Sequence, residues 1–186
     1  MKGSLNLSGH IIVPQPRARD PYFAKSVILV ANHGPSGAWG LMVNKPTKSL
    51  LLENIMSAVG IESRKQDKVF LGGPVETHRV NIVHSLDWSS LSTVKINGDI
   101  GITNDVSVLA AIQEGFGPAL FRTCLGVAAW AAGQLESEYE GQSPWRQEDR
   151  WLDAPATLES VFNLTGNEQW EKCIEIVAKN KTAAWL

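Results

Sequence analysis

The run from Leu120 to Trp130, "LFRTCLGVAAW", most constrains how this chain folds. It is apolar almost throughout, which predicts a strand buried on both faces. Shorter runs rich in valine, isoleucine and leucine predict further strands at 9–14, 25–32, 38–45, 68–75 and 79–86. An Asn97-Gly98 pair between two alternating runs adds a β-hairpin.

Helical segments are interspersed with these strands. "TKSLLLENIMSAVG" places apolar residues on one helix face, with Ser49 as the predicted N-cap and Gly60 as the stop. "NDVSVLAAIQEG" predicts a helix capped by Asn104 or Thr103. "AAGQLESEYE", "TLESVFN" and "NEQWEKCIEIVAKN" predict three more, whereas "GQSPWRQEDRWLDAP" is typical of an ordered surface loop. About seven or eight strands and four or five helices, mixed along the chain, predict an α+β fold in a single domain spanning 1–186.

Composition narrows the function classes. The net charge of -2 and the pI of about 6.1 argue against a generic phosphate-binding protein. The N-terminal segment lacks the apolar region of a signal peptide, and no stretch reaches the ~18 apolar residues of a spanning helix. Cys124 and Cys173 lack metal-ligand spacing and lie in apolar patterns, so we expect buried, structural free thiols. Together these features predict a cytoplasmic protein that does not interact with membranes.

The loop "HGPSG" carries the first candidate for chemistry. A histidine side chain titrates near neutral pH, so His33 could act as a general base, or it could hydrogen-bond its own loop. Ser36 follows Gly34-Pro35 and precedes a strand, which does not match the Gly-x-Ser-x-Gly turn of a hydrolase nucleophile. The polar residues Asn32, His33, Asn44 and Lys45 lie at strand ends, where binding residues often occur.

Two further patterns concern phosphate and metal sites. The pair Gly72-Gly73 allows close backbone approach of a ligand or of another strand, and a glycine bulge between strands is the favoured interpretation. The sequence has neither a dinucleotide fingerprint nor a phosphate loop. The four histidines (His10, His33, His78 and His84) show no metal-site spacing, so we expect neither a metal nor a cofactor.

The segment "AAWAAGQLESEYE" is the most suggestive for binding. A helix that starts near Gly133 presents free backbone N–H groups. Gln134 with Glu138, and Glu136 with Glu140, are four residues apart and share helix faces. We expect Gln134 and Glu138 to face inward, because that pair buries one charge where the other would bury two. Glu138 should then accept hydrogen bonds from donors near the 44–46 turn or the 72–73 turn, and the second pair should face water.

Large aromatic residues accumulate in the second half of the chain. Trp145 and Trp151 stand with Arg146 and Arg150, a mixture typical of interfaces and of single-strand binding by base stacking. The neighbouring acids Glu148, Asp149 and Asp153 weaken the nucleic-acid interpretation, so direct nucleic-acid binding is not expected.

Three separated motifs resemble the YqgE/AlgH family of bacterial proteins. They are "DPYFAKSVILVANHGPSGAWGLMVNKP", "VFLGGPV" followed by "VHS", and "WAAGQLESEY". The resemblance covers nearly the whole chain; it departs at Ala129, where the family commonly has glycine, and in the longer 141–155 segment. It implies an α+β fold with a bent, mixed or antiparallel, barrel-like sheet and flanking helices, and a cytosolic location. It implies no reaction, and its association with transcription rests on genetics.

The leading hypothesis is therefore a regulatory or binding protein without catalytic activity, possessing an unidentified protein or small-molecule partner and acting on transcription at most indirectly. We expect any action on transcription to be indirect, because no helix-turn-helix signal supports direct DNA binding. The alternative is a small-ligand binder or enzyme that uses the His33 loop, the Gly72-Gly73 turn and the Gly133 helix start. The candidate ligand-binding residues are Asn32, His33, Asn44, Lys45, Gly72, Gly73, Gln134 and Glu138.

Overall fold

A computed structural model describes residues 5–145 and 147–184. The described strands are β1 (His10–Pro14), β2 (Ile28–Gly34), β3 (Gly37–Met42), β4 (Pro46–Leu51), β5 (Lys68–Leu71), β6 (Val75–Ser85), β7 (Val94–Lys95), β8 (Ile100–Thr103), β9 (Phe121–Trp130) and β10 (Trp151–Pro155). The described α-helices are α1 (Leu52–Ala58), α2 (Val106–Glu114), α3 (Gln134–Glu140), α4 (Leu158–Phe162) and α5 (Gly166–Ala183). The predicted single-domain α+β class is confirmed.

Strand β9 is the centre of the sheet. Strand β6 pairs with it antiparallel along one edge, while β5 (parallel) and β3 (antiparallel) follow one another along the other edge. The main order is β10-β1-β2-β3-β9-β6-β8-β7, with β4 attached to β5. Within the described residues β10 and β7 end this order without pairing to each other, so the sheet is not closed and only loosely resembles a barrel.

Both faces of the central strands are buried, as the apolar run of β9 predicts. On one face, Cys124 and Val127 pack with residues of α4 and α5. On the other, Ala128 and Trp130 pack with Leu135 of α3. The same division runs through β1, where Ile11 and Val13 join the first cluster and Ile12 the second. A third cluster lies under α1 and α2.

Helix α1 begins later than the sequence predicts, and Ser49 as its N-cap is wrong. Residues Pro46–Leu51 form β4, which pairs with β5, and the helix starts at Leu52. The backbone N–H groups of Leu52 and Glu53 donate to carbonyl groups at Asp67 and Lys65. Because a distant segment accepts these helix-start hydrogen bonds, no serine cap is needed.

Three other boundaries also differ from expectation. Asp105, rather than Asn104 or Thr103, caps α2 by accepting from the Ser107 N–H. The 141–155 segment is not loop throughout, because its last residues form β10 and pair with β1. Strand β5 ends at Leu71, so the predicted 68–75 strand is too long. The hairpin at Asn97-Gly98 is confirmed by the antiparallel pairing of β7 with β8.

A buried arginine joins the sheet to the C-terminal helices. Arg122 of β9 donates to the carbonyl oxygens of Val43, Phe162 and Leu164 and to Gln169 Oε1. Its guanidinium also lies 4.8 Å from the centroid of the Phe70 ring. Burial lowers the pKa of Arg122 to about 10. The charge is therefore held by carbonyl dipoles and an aromatic face.

Arg122→Met should strongly destabilise the protein, because it leaves these buried acceptors without donors. We expect a loss of about 3 kcal/mol in the free energy of unfolding, measured by urea denaturation. The matched control is Arg79→Ala, which removes an exposed arginine that pairs with Glu76 and should change stability by at most about 0.5 kcal/mol. Equal stability losses in the two variants would contradict the role assigned to Arg122.

Both cysteine thiols should be inert in the folded protein. They are free and buried, and burial raises the pKa of Cys124 and of Cys173 to about 12. Since maleimides react with the thiolate, we expect slow labelling at pH 7.5 in native buffer and fast labelling of both residues after unfolding in guanidinium chloride. Rapid native labelling of either thiol would show that its surroundings are open.

Candidate functional site

A cavity of about 460 Å³ opens where the ends of β1, β9 and β10 meet α3 and two surface loops. We call it the tryptophan cavity, after Trp130, Trp145 and Trp151. Its lining residues are Pro14, Ala18, Arg19, Asp20, Phe23, Pro74, Ala129, Trp130, Gln134, Glu138, Trp145, Asp149 and Trp151.

The carboxylate of Glu138 is the polar centre of this cavity. Glu138 Oε2 accepts hydrogen bonds from the indole Nε1–H groups of Trp130, at 3.0 Å, and Trp151, at 2.7 Å. Its Oε1 accepts from Gln134 Nε2 at 2.8 Å. Two indole N–H groups and one amide N–H group thus converge on the two oxygens of this carboxylate, and each of them needs an acceptor. The residue is only 9% exposed.

One short segment of sequence builds most of this arrangement. Trp130, Gln134 and Glu138 follow one another at intervals of four residues. Gly133 takes a left-handed conformation (φ 74°) after the turn that follows β9, and α3 starts at the next residue. Gln134 Oε1 accepts the Ala131 N–H, which leaves the amide nitrogen directed at Glu138. The prediction that Gln134 and Glu138 form the inward pair is confirmed.

The predicted source of the hydrogen-bond donors to Glu138 is wrong. The observed indole donors belong to Trp130 of β9 and Trp151 of β10 rather than to the turns at 44–46 or 72–73. The outward pair also differs, because Glu140 is exposed whereas Glu136 is partly buried against His33.

An aromatic wall continues from the carboxylate toward the cavity mouth. The rings of Trp130 and Trp151 meet edge to face with centroids 6.2 Å apart. Phe23 contacts Trp151 in the same manner at 5.9 Å. Trp145 is 38% exposed and lies on the rim. The cavity is thus aromatic on several sides, with Glu138 at its buried end.

Two loops form the rim, and hydrogen bonds hold them together. Asp149 Oδ1 accepts the Arg19 backbone N–H, and Gln15 Nε2 donates to the Gln147 carbonyl. Asp20 Oδ1 accepts the N–H groups of Tyr22 and Phe23, which shapes the turn that carries Phe23. The carboxylates of Asp20 and Asp149 therefore stand at the mouth.

Asn44 and Lys45 support the cavity without lining it. The Asn44 side chain accepts the Val27 N–H and donates to the carbonyls of Lys25 and Gly166. Lys45 Nζ donates to the Tyr22 carbonyl. Burial lowers the pKa of Lys45, while the charge of Asp20 acts in the opposite direction. These side chains fix the loop that places Asp20 and Phe23 at the rim.

His33 is a structural residue at the edge of α3. Its ring is buried, and Nδ1 accepts the Leu7 backbone N–H at 3.1 Å. The neutral ring therefore carries its proton on Nε2. This Nε2 lies 3.1 Å from Glu136 Oε1, although no described residue gives it a hydrogen bond of good geometry. His33 does not line the cavity, and the adjacent Asn32 is exposed.

The Gly72-Gly73 pair lies against β9. A Cβ atom added at Gly72 would lie 2.3 Å from the Gly126 carbonyl oxygen, and one at Gly73 would lie 2.0 Å from Val127. The Gly72 N–H donates to Leu125, and its carbonyl accepts from Met42. These glycines permit strand contact, while the next residue, Pro74, reaches the cavity.

Of the candidate residues, only Gln134 and Glu138 line the cavity directly. Sequence reasoning missed Trp130 as a partner of Glu138, and it assigned Trp151 to an interface. The helical four-residue interval does not indicate the first contact, because Trp130 ends β9 and lies before the start of α3. No local pattern connects Trp151 to Glu138.

In the described part of the chain, no group of three or more His, Cys, Asp or Glu side chains could hold a metal ion. Among the helices described above, none combines the length and the hydropathy that a membrane span requires.

Glu138→Ala should destabilise the protein, because it leaves two buried indole N–H groups without acceptors. We expect a loss of about 1–3 kcal/mol in denaturant melts. Glu140→Ala is the matched control on the same helix, at an exposed position, and should have little effect. If both variants melt alike, the hydrogen bonds to Glu138 do not stabilise the fold.

Comparison with known proteins places this architecture in a family. The sequence model of the AlgH-like family (DUF179) matches residues 11–181. A UPF0301 protein of Cereibacter sphaeroides is 35% identical over 170 residues, which cover 89% of this chain and 89% of the relative. A UPF0301 protein of Chromobacterium violaceum is 33% identical over 177 residues, which cover 94% and 91%.

Solved structures agree with this result. The solution structure of the AlgH protein from Pseudomonas aeruginosa has a TM-score of 0.73 and 29% identity, and covers 97% of this chain and 91% of its own. A crystal structure of a protein from Corynebacterium diphtheriae has a TM-score of 0.71 over 92% of this chain and 87% of its own. At 22% identity, that second likeness concerns the fold alone. Because the family model and relatives above 30% identity cover most of the sequence, the chain belongs to the AlgH-like family, as its motifs indicate.

Proposed function

We propose that this protein is a binding protein that takes a small organic ligand, or a side chain of a partner, into the tryptophan cavity. The observation that carries the proposal is the cavity itself. Its volume of about 460 Å³ lies within the ~300–1,000 Å³ range of ligand sites, and such sites are mainly apolar with a few placed polar groups. Three tryptophans, one phenylalanine and the Gln134–Glu138 pair match that composition.

The side chains around the cavity favour binding over catalysis. No histidine, serine, cysteine or lysine is among the described residues that line it. Glu138 already accepts three hydrogen bonds, which limits its use as a general base. His33 has its Nδ1 lone pair engaged by Leu7 and lies outside the lining. Among the described lining residues there is therefore no serine, cysteine or lysine nucleophile with an adjacent histidine base.

Direct nucleic-acid binding is the weaker proposal. Trp145 and Arg150 were its candidates together with Arg146, which lies outside the described residues. Arg150 Nε donates to the Tyr139 carbonyl and its NH1 donates to Gln147, so its guanidinium has partners within the protein. Asp149 lines the same cavity as Trp145 and would repel phosphate. Any influence on transcription would thus act through a bound ligand or a protein partner.

The free thiols of Cys124 and Cys173 support a reducing compartment. We therefore propose that the protein binds its ligand in the cytoplasm.

The proposal is tested by screening fragments against the isotope-labelled protein. We expect several amine, sugar or aromatic fragments to shift the indole N–H signals of Trp130, Trp145 and Trp151 and to compete with one another. Trp145→Ala should weaken these fragments about tenfold, because one aromatic face is lost. The matched control is Phe116→Ala, at an aromatic residue that is 78% exposed and does not line the cavity.

Two results would refute this function. One is a screen in which no fragment perturbs the cavity signals. The other is a set of binders whose shifts map elsewhere and respond equally to Trp145→Ala and Phe116→Ala.

A further inference from the structure

The charges around the tryptophan cavity are unbalanced. Glu138, Asp20 and Asp149 contribute three carboxylates, while Arg19 contributes the one guanidinium among the described lining residues. No described lysine or arginine forms an ion pair with Glu138, whose partners are two indoles and an amide. Neutral donors stabilise a carboxylate without cancelling its charge. A ligand with a positive charge would therefore be attracted to the cavity.

Aromatic faces strengthen the same preference. A cation placed within about 6 Å of a tryptophan ring is attracted by the ring quadrupole, and the attraction grows when water is excluded. Trp130 and Trp151 are buried beside Glu138, and the rings of Trp145 and Phe23 also line the cavity. Aromatic rings and an uncompensated carboxylate thus meet in one concave site.

The occupied lone pairs of Glu138 decide which kind of cation fits. Oε2 already accepts two indole hydrogen bonds, and Oε1 accepts the Gln134 amide. An ammonium or guanidinium group brings three to five N–H donors, and Glu138 has about one lone-pair site left for them. A quaternary ammonium group has no N–H to satisfy, so it can use the charge and the rings without leaving donors unpaired.

We infer that the tryptophan cavity recognises a quaternary ammonium group, bound in the cavity against the tryptophan rings and near Glu138. This inference rests on the proposed binding function and names its ligand class. Asp20 is exposed and Asp149 is partly exposed at the mouth, where they attract the cation on entry. The remaining part of the ligand extends past Trp145 toward solvent.

The experiment compares three probes on the full chain: choline, its neutral isostere 3,3-dimethylbutan-1-ol, and ethanolamine, the smaller primary amine. Binding is followed by tryptophan fluorescence and by the indole N–H signals. We expect choline to bind saturably and to shift the signals of Trp130, Trp145 and Trp151. The neutral isostere should bind roughly tenfold more weakly, because it lacks the charge. Ethanolamine should also be weaker, because its N–H donors lose water.

Charge variants that preserve the rim test the same point. Asp20→Asn and Asp149→Asn keep the Oδ1 acceptors for the backbone N–H groups while removing the charges. The double variant should bind choline several-fold more weakly and fold normally. Glu114→Gln is the control, since it removes an exposed carboxylate that does not line the cavity.

The outcomes separate the two proposals. If the isostere or a neutral sugar binds the cavity as tightly as choline, the ammonium inference is wrong and the binding function stands. Ethanolamine binding as tight as choline would overturn the preference for a quaternary group. If no probe or fragment binds the cavity at all, both proposals fail.

Discussion

The buried carboxylate of Glu138 is the interaction on which the candidate site depends. A charge removed from water is costly unless donors surround it, and here the donors are indole N–H groups from two different strands. Trp130 ends β9, Trp151 begins β10, and both reach the same oxygen of a residue on α3. Satisfying one carboxylate therefore fixes a helix over the ends of two strands. The cavity is the space that these three elements leave open.

Residues outside the cavity maintain its shape. Asn44 and Lys45 hold the loop that carries Asp20 and Phe23, and Asp149 joins that loop to the one bearing Trp145. Helix α3 is held from its other side, where the Tyr139 hydroxyl donates to Asp153. Burial, followed by this contact, raises the pKa of Tyr139 to about 12, so the phenol remains a donor at physiological pH. The Asn-Lys-Pro motif thus supports the cavity from outside, whereas the Asp-Pro-Tyr-Phe motif contributes Asp20 and Phe23 to its lining.

Local patterns in the sequence predicted the features of the fold that depend on residues close together in the chain. The apolar run of β9, the helix start at Gly133 and the inward Gln134–Glu138 pair follow from periodicity and turn chemistry. Contacts between distant segments were not visible. Strand β4 exists because β5 pairs with it, and α1 needs no serine cap because residues 65–67 accept its first N–H groups. Strand β10 was missed since Asp153 makes it look polar, whereas His10 and Tyr139 bind that carboxylate. The Trp151–Glu138 contact also joins two different elements of the fold, so no local pattern in the sequence indicated it.

Hydrogen exchange of the indole N–H groups tests the central claim most directly. In the wild-type protein, the indole protons of Trp130 and Trp151 should exchange slowly with solvent, because each donates to a buried carboxylate oxygen, while the proton of the exposed Trp145 should exchange fast. Glu138→Gln should shift the resonances of Trp130 and Trp151 together and accelerate their exchange, with the Trp145 resonance little changed. Fast exchange of Trp130 and Trp151 in the wild type, or no response of either to Glu138→Gln, would contradict a site organised around this carboxylate.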